Sequence, residues 1–324
     1  MASSRQLPVS YNESTYNSAG GADYTSLATW EAATDNDLVT ATNGEVLTCA
    51  AGVHNDTVAL DGATTNANYF RVIRAASGQR GTKTSGVRFE VSGSYGSGLI
   101  ILAVAEAYGQ IQDVACKGVN TSSGNYTIMV HIKGAENKVV GVTVYDSSAN
   151  NGTCNGILTN PTGTATITTY IINCFADNAD TTTSATCGGI RCSSGSGRNL
   201  TTYLYNNTAR NCKSGFYLFE SGVTTVYSKN NIVQDNTTNI TITGGVTHVQ
   251  TTNATSGVTF DADGYHLDST DTGARGNGTD LSADLIFAFD DDIDGDTRSA
   301  WDIGCDEFTA AVSSFIQKVV WFMQ

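Results

Sequence analysis

VVGVTVYD (139–146), IINCFADN (171–178), LYNNTARN (204–211) and SKNNIVQD (228–235) are four copies of one pattern. Aligned, they place Gly141, Asn173, Asn206 and Asn230 in one column and Asp146, Asn178, Asn211 and Asp235 in a second. Val144, Ala176, Ala209 and Val233 make a small or branched apolar column between them. A weaker earlier copy, IQDVACKG (111–118), sets Cys116 at that place, and the column recurs after 28, 32, 33 and 24 residues. A second pattern follows the later copies. CNGIL (154–158), CGGIR (187–191) and KSGFY (213–217) align Gly156, Gly189 and Gly215, each leading into alternating apolar positions that begin at Ile157, Ile190 and Phe216. Ile240 and Ile242 continue the series. Short stretches of period-2 alternation separated by Asn- or Gly-bearing corners read as strands and turns. One such unit cannot bury its apolar face alone, whereas stacked copies can, which is the logic of a solenoid.

Composition agrees. The 324 residues include 45 Thr, 26 Asn and 34 Gly, all poor helix formers, and Thr suits pleated strands. Hydrophobic residues reach 40%, too many for a disordered chain although only 15% are charged. Stacked coils lie about 4.8 Å apart, so like residues fall on like. The pattern therefore predicts an all-β, single-stranded β-helix. The columns Asn173, Asn206, Asn230 and Asn178, Asn211, Asp235 are expected to be corner positions carrying side-chain ladders, because Asn and Asp tolerate a left-handed backbone. The eight Cys form no CxxC pair and are expected as small buried hydrophobes, with Cys154 and Cys187 in one column and able to touch.

On these residues the chain resembles the right-handed parallel β-helix, or pectate-lyase-like, superfamily over approximately residues 65–260. Two flanking motifs extend the resemblance. DYTSLATWEAA (23–33) reads as a short amphipathic helix with Leu27 and Trp30 on one face, like the opening cap of β-helix proteins from phages and metagenomes. DIDGDTRSAWDIGCDEF (292–308) is similar to the tail that ends β-helices of the choice-of-anchor type, with Asp294, Gly295, Arg298, Asp302, Ile303, Gly304 and Glu307 matching and Cys305 in place of the usual Ala. The organisation expected is a cap with the first strands (1–64), the β-helix (65–260), an acidic closing segment (261–308) and an apolar tail (309–324).

Charge is uneven. The net charge is −14, and residues 261–307 carry −12 of it, with Arg275 and Arg298 as their only bases. Such a chain lacks the clustered Lys and Arg that nucleic-acid binding needs. Within the acidic segment, Asp290, Asp292, Asp294 and Gly295 sit at the spacing of the first half of a calcium loop. The twelfth position, where a bidentate Glu is expected, is Trp301, with Asp302 next. Two expectations stand: a calcium ion held by Asp290, Asp292 and Asp294, or a closing turn in which Arg298 pairs with these carboxylates. No other cofactor is expected.

In the tail, Val312, Phe315, Ile316, Val319, Val320 and Met323 follow helical spacing, and Trp321 and Phe322 add apolar surface. It is too short to span a membrane, so it is expected to cover the open end of the solenoid, dock on a partner or pair in a homo-oligomer. MASSRQLPVSYNESTYNSAGG, at the start, has no apolar core of a secretory signal.

A β-helix enzyme needs acids, or an acid with a base, converging from neighbouring coils. One outward column runs Tyr145, Asp177, Arg210 and Gln234. Asp177 with Arg210 is the one lyase-like pair in it, and a surface salt bridge is its simpler meaning. The four His (54, 131, 248 and 266) match no triad or metal spacing. The expectation is therefore a non-enzymatic structural or binding protein. With the resemblance to phage proteins, a bacteriophage virion component displayed on the particle surface comes first: a capsid decoration, head fibre or spike contacting other virion proteins through its tail. Glycan binding is expected on its polar face, with Tyr203, Tyr205, Tyr217, Phe219 and Tyr227 as stacking platforms, half of them turned inward. A polysaccharide lyase or depolymerase is the alternative, and an extracellular bacterial surface adhesin the third.

Overall fold

A computed structural model describes residues 3–161, 166–179 and 186–309. The short alternating strands wind into a parallel β-helix, each coil giving one strand to each of three sheets in which every neighbouring pair is parallel. A nine-stranded sheet runs from Tyr11–Tyr16 through Thr166–Ile172 and Asn199–Tyr205 to Thr247–Thr251. One seven-stranded sheet runs from Gly52–His54 through Thr143–Ala149, Phe175–Ala179 and Thr208–Arg210 to Ile232–Val233. The other runs from Val58–Leu60 through Cys154–Thr159, Gly188–Ser194 and Ser214–Glu220 to Thr238–Thr243.

The apolar column stacks as its spacing requires. Cys116, Val144, Ala176, Ala209 and Val233 are register partners from coil to coil, and all are fully buried. With Ile157, Ile190 and Phe216 they line one continuous interior. Gly156 faces this channel under the next coil, where a Cβ would meet the Gly189 carbonyl oxygen at 2.3 Å. All eight Cys are buried, as expected of thiols that pack as hydrophobes.

Both Asn/Asp columns are left-handed corners. Gly141, Asn173, Asn206 and Asn230 have φ between +52° and +65°, and Asp146, Asn178, Asn211 and Asp235 between +42° and +58°. The expected ladders, however, are broken. Single rungs form where Asn230 donates to Asn206 Oδ1 (3.3 Å) and Asn178 to Asp146 Oδ1 (2.9 Å). The continuous ladder stands one residue further on, at Asn207, Asn231 and Asn253. The Oδ1 of Asn207 accepts the Cys174 amide, that of Asn231 the Asn207 amide and that of Asn253 the Asn231 amide, at 2.9–3.0 Å. The Nδ2 groups of Asn207 and Asn231 reach down to the Ile171 and Leu204 carbonyls (both 2.8 Å). A left-handed corner turns its own side chain out of the coil, and the following residue turns inward, where an amide satisfies both polar groups of the bend.

Helix α1 (Leu27–Thr34) forms where the sequence places it, and Leu27 and Trp30 are fully buried against the interior at the first coils. A second short helix, α2 (Leu38–Ala41), follows, its first turn capped by Asp37 accepting from the Thr40 amide. At the other end, Ile242 and Val249 remain 49% and 45% exposed. Residues 310–324 lie outside the described residues, and with them the docking expectation for Val312, Phe315, Ile316, Val319, Val320, Trp321, Phe322 and Met323. No helix among the described residues is long and apolar enough to cross a membrane.

The acidic segment lies lengthwise along the solenoid, as a strap over the first corner column. Asn230 exchanges hydrogen bonds with the backbone of Thr279 (2.7 and 2.8 Å). Asn206 donates to the Asp302 and Gly304 carbonyls (3.3 and 3.2 Å), and Asn173 to that of Asp291 (2.8 Å). This contact explains why the column is Asn. Leu281, Phe287, Phe289 and Trp301 pack on Val140, Ile172 and Tyr205 beneath. At the far end Arg5 bridges Asp113 and Asp291 (2.7 and 3.0 Å). The column carries Gly141 there because a Cβ would lie 2.3 Å from Asp113 Oδ1 and 2.7 Å from Arg5.

Candidate functional site

The closing motif builds the strap from within. Arg298 is 4% exposed, and its guanidinium donates to the carbonyls of Asp291, Gly304 and Cys305 at 2.8–3.1 Å and to Asn173 Oδ1 at 3.1 Å. Glu307 is the carboxylate that approaches it, at 3.7 Å. The closing turn differs from the expected one: Arg298 is bound chiefly to carbonyls, and its ion pair is with Glu307 instead of Asp290, Asp292 or Asp294. Glu307 accepts from the Ser299 and Asp302 amides at 2.8 and 2.9 Å and also from that of Ala300. Burial alone would raise its pKa, but these amides outweigh it and hold the carboxyl below its ordinary range. Asp302 accepts from Gly276 and Phe308, and Gly295 and Gly304 turn with φ of +86° and +99°.

The calcium trio is not brought together. Asp292 Oδ1 accepts the amides of Asp294 and Asp296, both at 2.9 Å, and its Oδ2 accepts that of Glu307 at 3.2 Å. Asp294 turns away to Arg80 (2.9 Å) and His266 (2.7 Å), while the Asp290 carbonyl takes the Arg298 amide. Backbone amides take the oxygens of Asp292, and side chains take those of Asp294. Among the described residues the convergent set is instead His266, Asp294 and Asp306, whose ligand atoms all lie within 4.8 Å of one another. They edge a cavity of about 340 Å³ that Asp261, Asp292 and Asp296 also line. Burial opposes a charged His266, but hydrogen bonds to Asp294 and Asp263 prevail and push it up to about 9. Burial pushes Asp306 up to about 7.

Asp177 and Arg210 are register partners on adjacent coils, yet they form neither the lyase-like pair nor the surface salt bridge expected of them. Asp177 is buried, ion-paired to Lys83, and accepts from Asn211 (2.7 Å). Arg210 donates to the Gly264 carbonyl (2.8 Å), approaches Asp235 (3.6 Å) and lies over the Phe260 ring. The strap and the loop at Thr82–Ser85 have drawn the two apart. Between these lies a groove of about 470 Å³ lined by Thr82, Lys83, Thr84, Ser85, Thr143, Phe175, Asp263 and Tyr265. Lys83 is lowered from its ordinary pKa, chiefly by burial. No repeat in the sequence marks this groove, because its walls come from a loop and the strap.

Of the five aromatic platforms, none belongs to the interior cluster, so the expectation that half turn inward fails. Tyr205 and Tyr217 are buried outside it, Tyr205 beneath the strap. Tyr203 and Tyr227 stack with Tyr170 on the outer face, with ring centroids 5.2–5.3 Å apart. Comparison of the chain with protein-family models, curated proteins and solved structures gives no match.

Proposed function

We propose that the chain is a non-enzymatic structural and binding protein, a surface-displayed rod that takes glycan in the groove between the Thr82–Ser85 loop and the strap. The observation that carries this reading is the lining itself. Tyr265 offers a half-buried ring, backed by the buried Phe175 at a centroid distance of 5.6 Å, and Thr82, Thr84, Ser85, Lys83 and Asp263 offer hydroxyls and charges around it. Rings for stacking with a few convergent polar groups are what a sugar requires of a binding cleft. The lengthwise strap and the tightly stacked coils suit a stiff, protease-resistant element. A bacteriophage virion component, as capsid decoration, head fibre or spike, is the setting that this rod and the resemblance favour, with the exposed coil at Ile242 and Val249 toward its neighbours in the particle. Glycan-array binding by the full chain, repeated with Tyr265→Ala and Lys83→Ala, tests the groove. Binding lost in both variants supports it, and binding retained in both, or absent in the parent chain, refutes it. Mass spectrometry of purified particles tests the setting.

A second reading, a polysaccharide lyase, rests on one feature: Lys83, held down in pKa by burial, sits in that groove beside Asp177. Formation of unsaturated product from acidic polysaccharides, abolished by Lys83→Ala, would establish it in place of the binding role.

A further inference from the structure

We propose that His266 Nε2, Asp294 Oδ2 and Asp306 Oδ1 form a binding site for a divalent transition-metal ion, zinc foremost, which staples three separate points of the strap. The residues stand 28 and 12 positions apart in the chain, and the fold alone brings them together. Each ligand atom is aimed toward the others because its companion atom is held by something else, and the Nε2–Oδ2 hydrogen bond of 2.7 Å gives way to the metal when Nε2 loses its proton. Asp263 accepts from His266 Nδ1, which fixes the tautomer that presents Nε2 as a ligand. Arg80 holds Asp294 Oδ1 at 2.9 Å, and the Leu267 amide holds Asp306 Oδ2 at 2.8 Å.

Asp306 is 4% exposed and lines the adjoining cavity, with its Oδ1 3.9 Å from His266 Nε2. Two carboxylates converging on one imidazole nitrogen repel each other, and a cation between them relieves that repulsion. The spacing also fits. Zinc bonds of about 2.0–2.2 Å set tetrahedral ligand atoms roughly 3.3–3.6 Å apart. The Nε2 separations of 2.7 Å from Asp294 Oδ2 and 3.9 Å from Asp306 Oδ1 bracket that value, so small side-chain movements suffice. An imidazole nitrogen with two carboxylates favours zinc and its transition-metal neighbours over calcium, which takes six to eight oxygens. The adjoining cavity leaves room for water as the fourth ligand.

The test is titration of the full chain with zinc chloride by calorimetry and thermal melting, alongside calcium chloride. The expected result is a saturable one-to-one heat and a rise in Tm reversed by chelator, with calcium at least tenfold weaker. His266→Ala and Asp306→Asn each remove the zinc response, and Asp263→Asn weakens it about tenfold through the orienting hydrogen bond. If a variant fails to fold, cobalt titration of the parent chain still decides: visible d–d bands with tetrahedral intensity are expected. Absence of saturable zinc binding, or binding unchanged in both His266→Ala and Asp306→Asn, overturns the site, as does a cobalt spectrum equal to that of the aquo ion.

Discussion

The solenoid and its strap lie side by side and are held by different means. In the coils, backbone bonds to backbone along three sheets, and the interior is a column of aliphatic side chains and thiols. The strap, 261–308, adds no strand to those sheets and has only isolated bridges such as Asp291 with Thr297. Its amides are satisfied by carboxylates instead. Asp271 accepts from Thr259, Ala274 and Arg275, Asp284 from Ile286 and Phe287, and Asp263, Asp268, Asp280, Asp292, Asp302, Asp306 and Glu307 each take at least one more, while Asp291 takes the Ser4 amide of the N-terminal segment. The acidity of this segment is therefore the counterpart of its irregularity: a chain without repeats satisfies its backbone locally, and short acidic side chains are well suited to that task.

The largest expected effect lies in the coils. Ala209→Asp puts an unpaired carboxylate in a fully buried column, and loss of the cooperative unfolding transition by circular dichroism is the expected outcome. Next comes Arg298→Leu, which leaves the Asp291, Gly304 and Cys305 carbonyls without their donor. Removing one member of a buried charged network costs about 3–5 kcal/mol. That loss should be confined to the strap, so limited proteolysis is expected to cut within 261–308 while the coils survive.

These two regions also differ in how much the sequence discloses. Val144, Ala176, Ala209 and Val233 were legible because stacking imposes a period, and the corners at Asn173, Asn206 and Asn230 because few residues accept a left-handed backbone. The amide ladder at Asn207, Asn231 and Asn253 escaped notice because earlier coils hold Val114, Val142 and Cys174 at the same place, so no Asn column shows. The strap's course was illegible for a deeper reason: His266, Asp294 and Asp306, like Arg298 and Asn173, meet only through tertiary packing, which leaves no periodic trace. The calcium-like spacing at Asp290, Asp292 and Asp294 does not gather the three carboxylates, because Asp292 caps amides of its own turn while Asp294 turns to Arg80 and His266.

Smaller effects sharpen the contrast. Asn207→Ala removes a ladder rung and strands the Cys174 amide and the Ile171 carbonyl, with an expected loss of about 1–3 kcal/mol that lowers the urea midpoint of the coils. The smallest is an acid effect on the strap. Burial pushes Asp284 up, but Lys229 at 2.5 Å and the amides of Phe287 and Ile286 outweigh it and leave its pKa below the ordinary 3.8. Its contribution is complete above 3.8 and is lost as pH falls through the lower folded value. Asp284→Asn should therefore flatten the acid limb of strap opening, followed by proteolysis between pH 6 and pH 3, and leave the coils unchanged.

Native-state hydrogen exchange under increasing sub-denaturing urea measures the division directly. Amides capped by strap carboxylates, those of Asp294, Asp296, Ser299 and Asp302, are expected to open together at a lower free energy than the coil amides of Thr208, Val226 and Ile232. A single isotherm shared by both sets would contradict the separation of strap from solenoid.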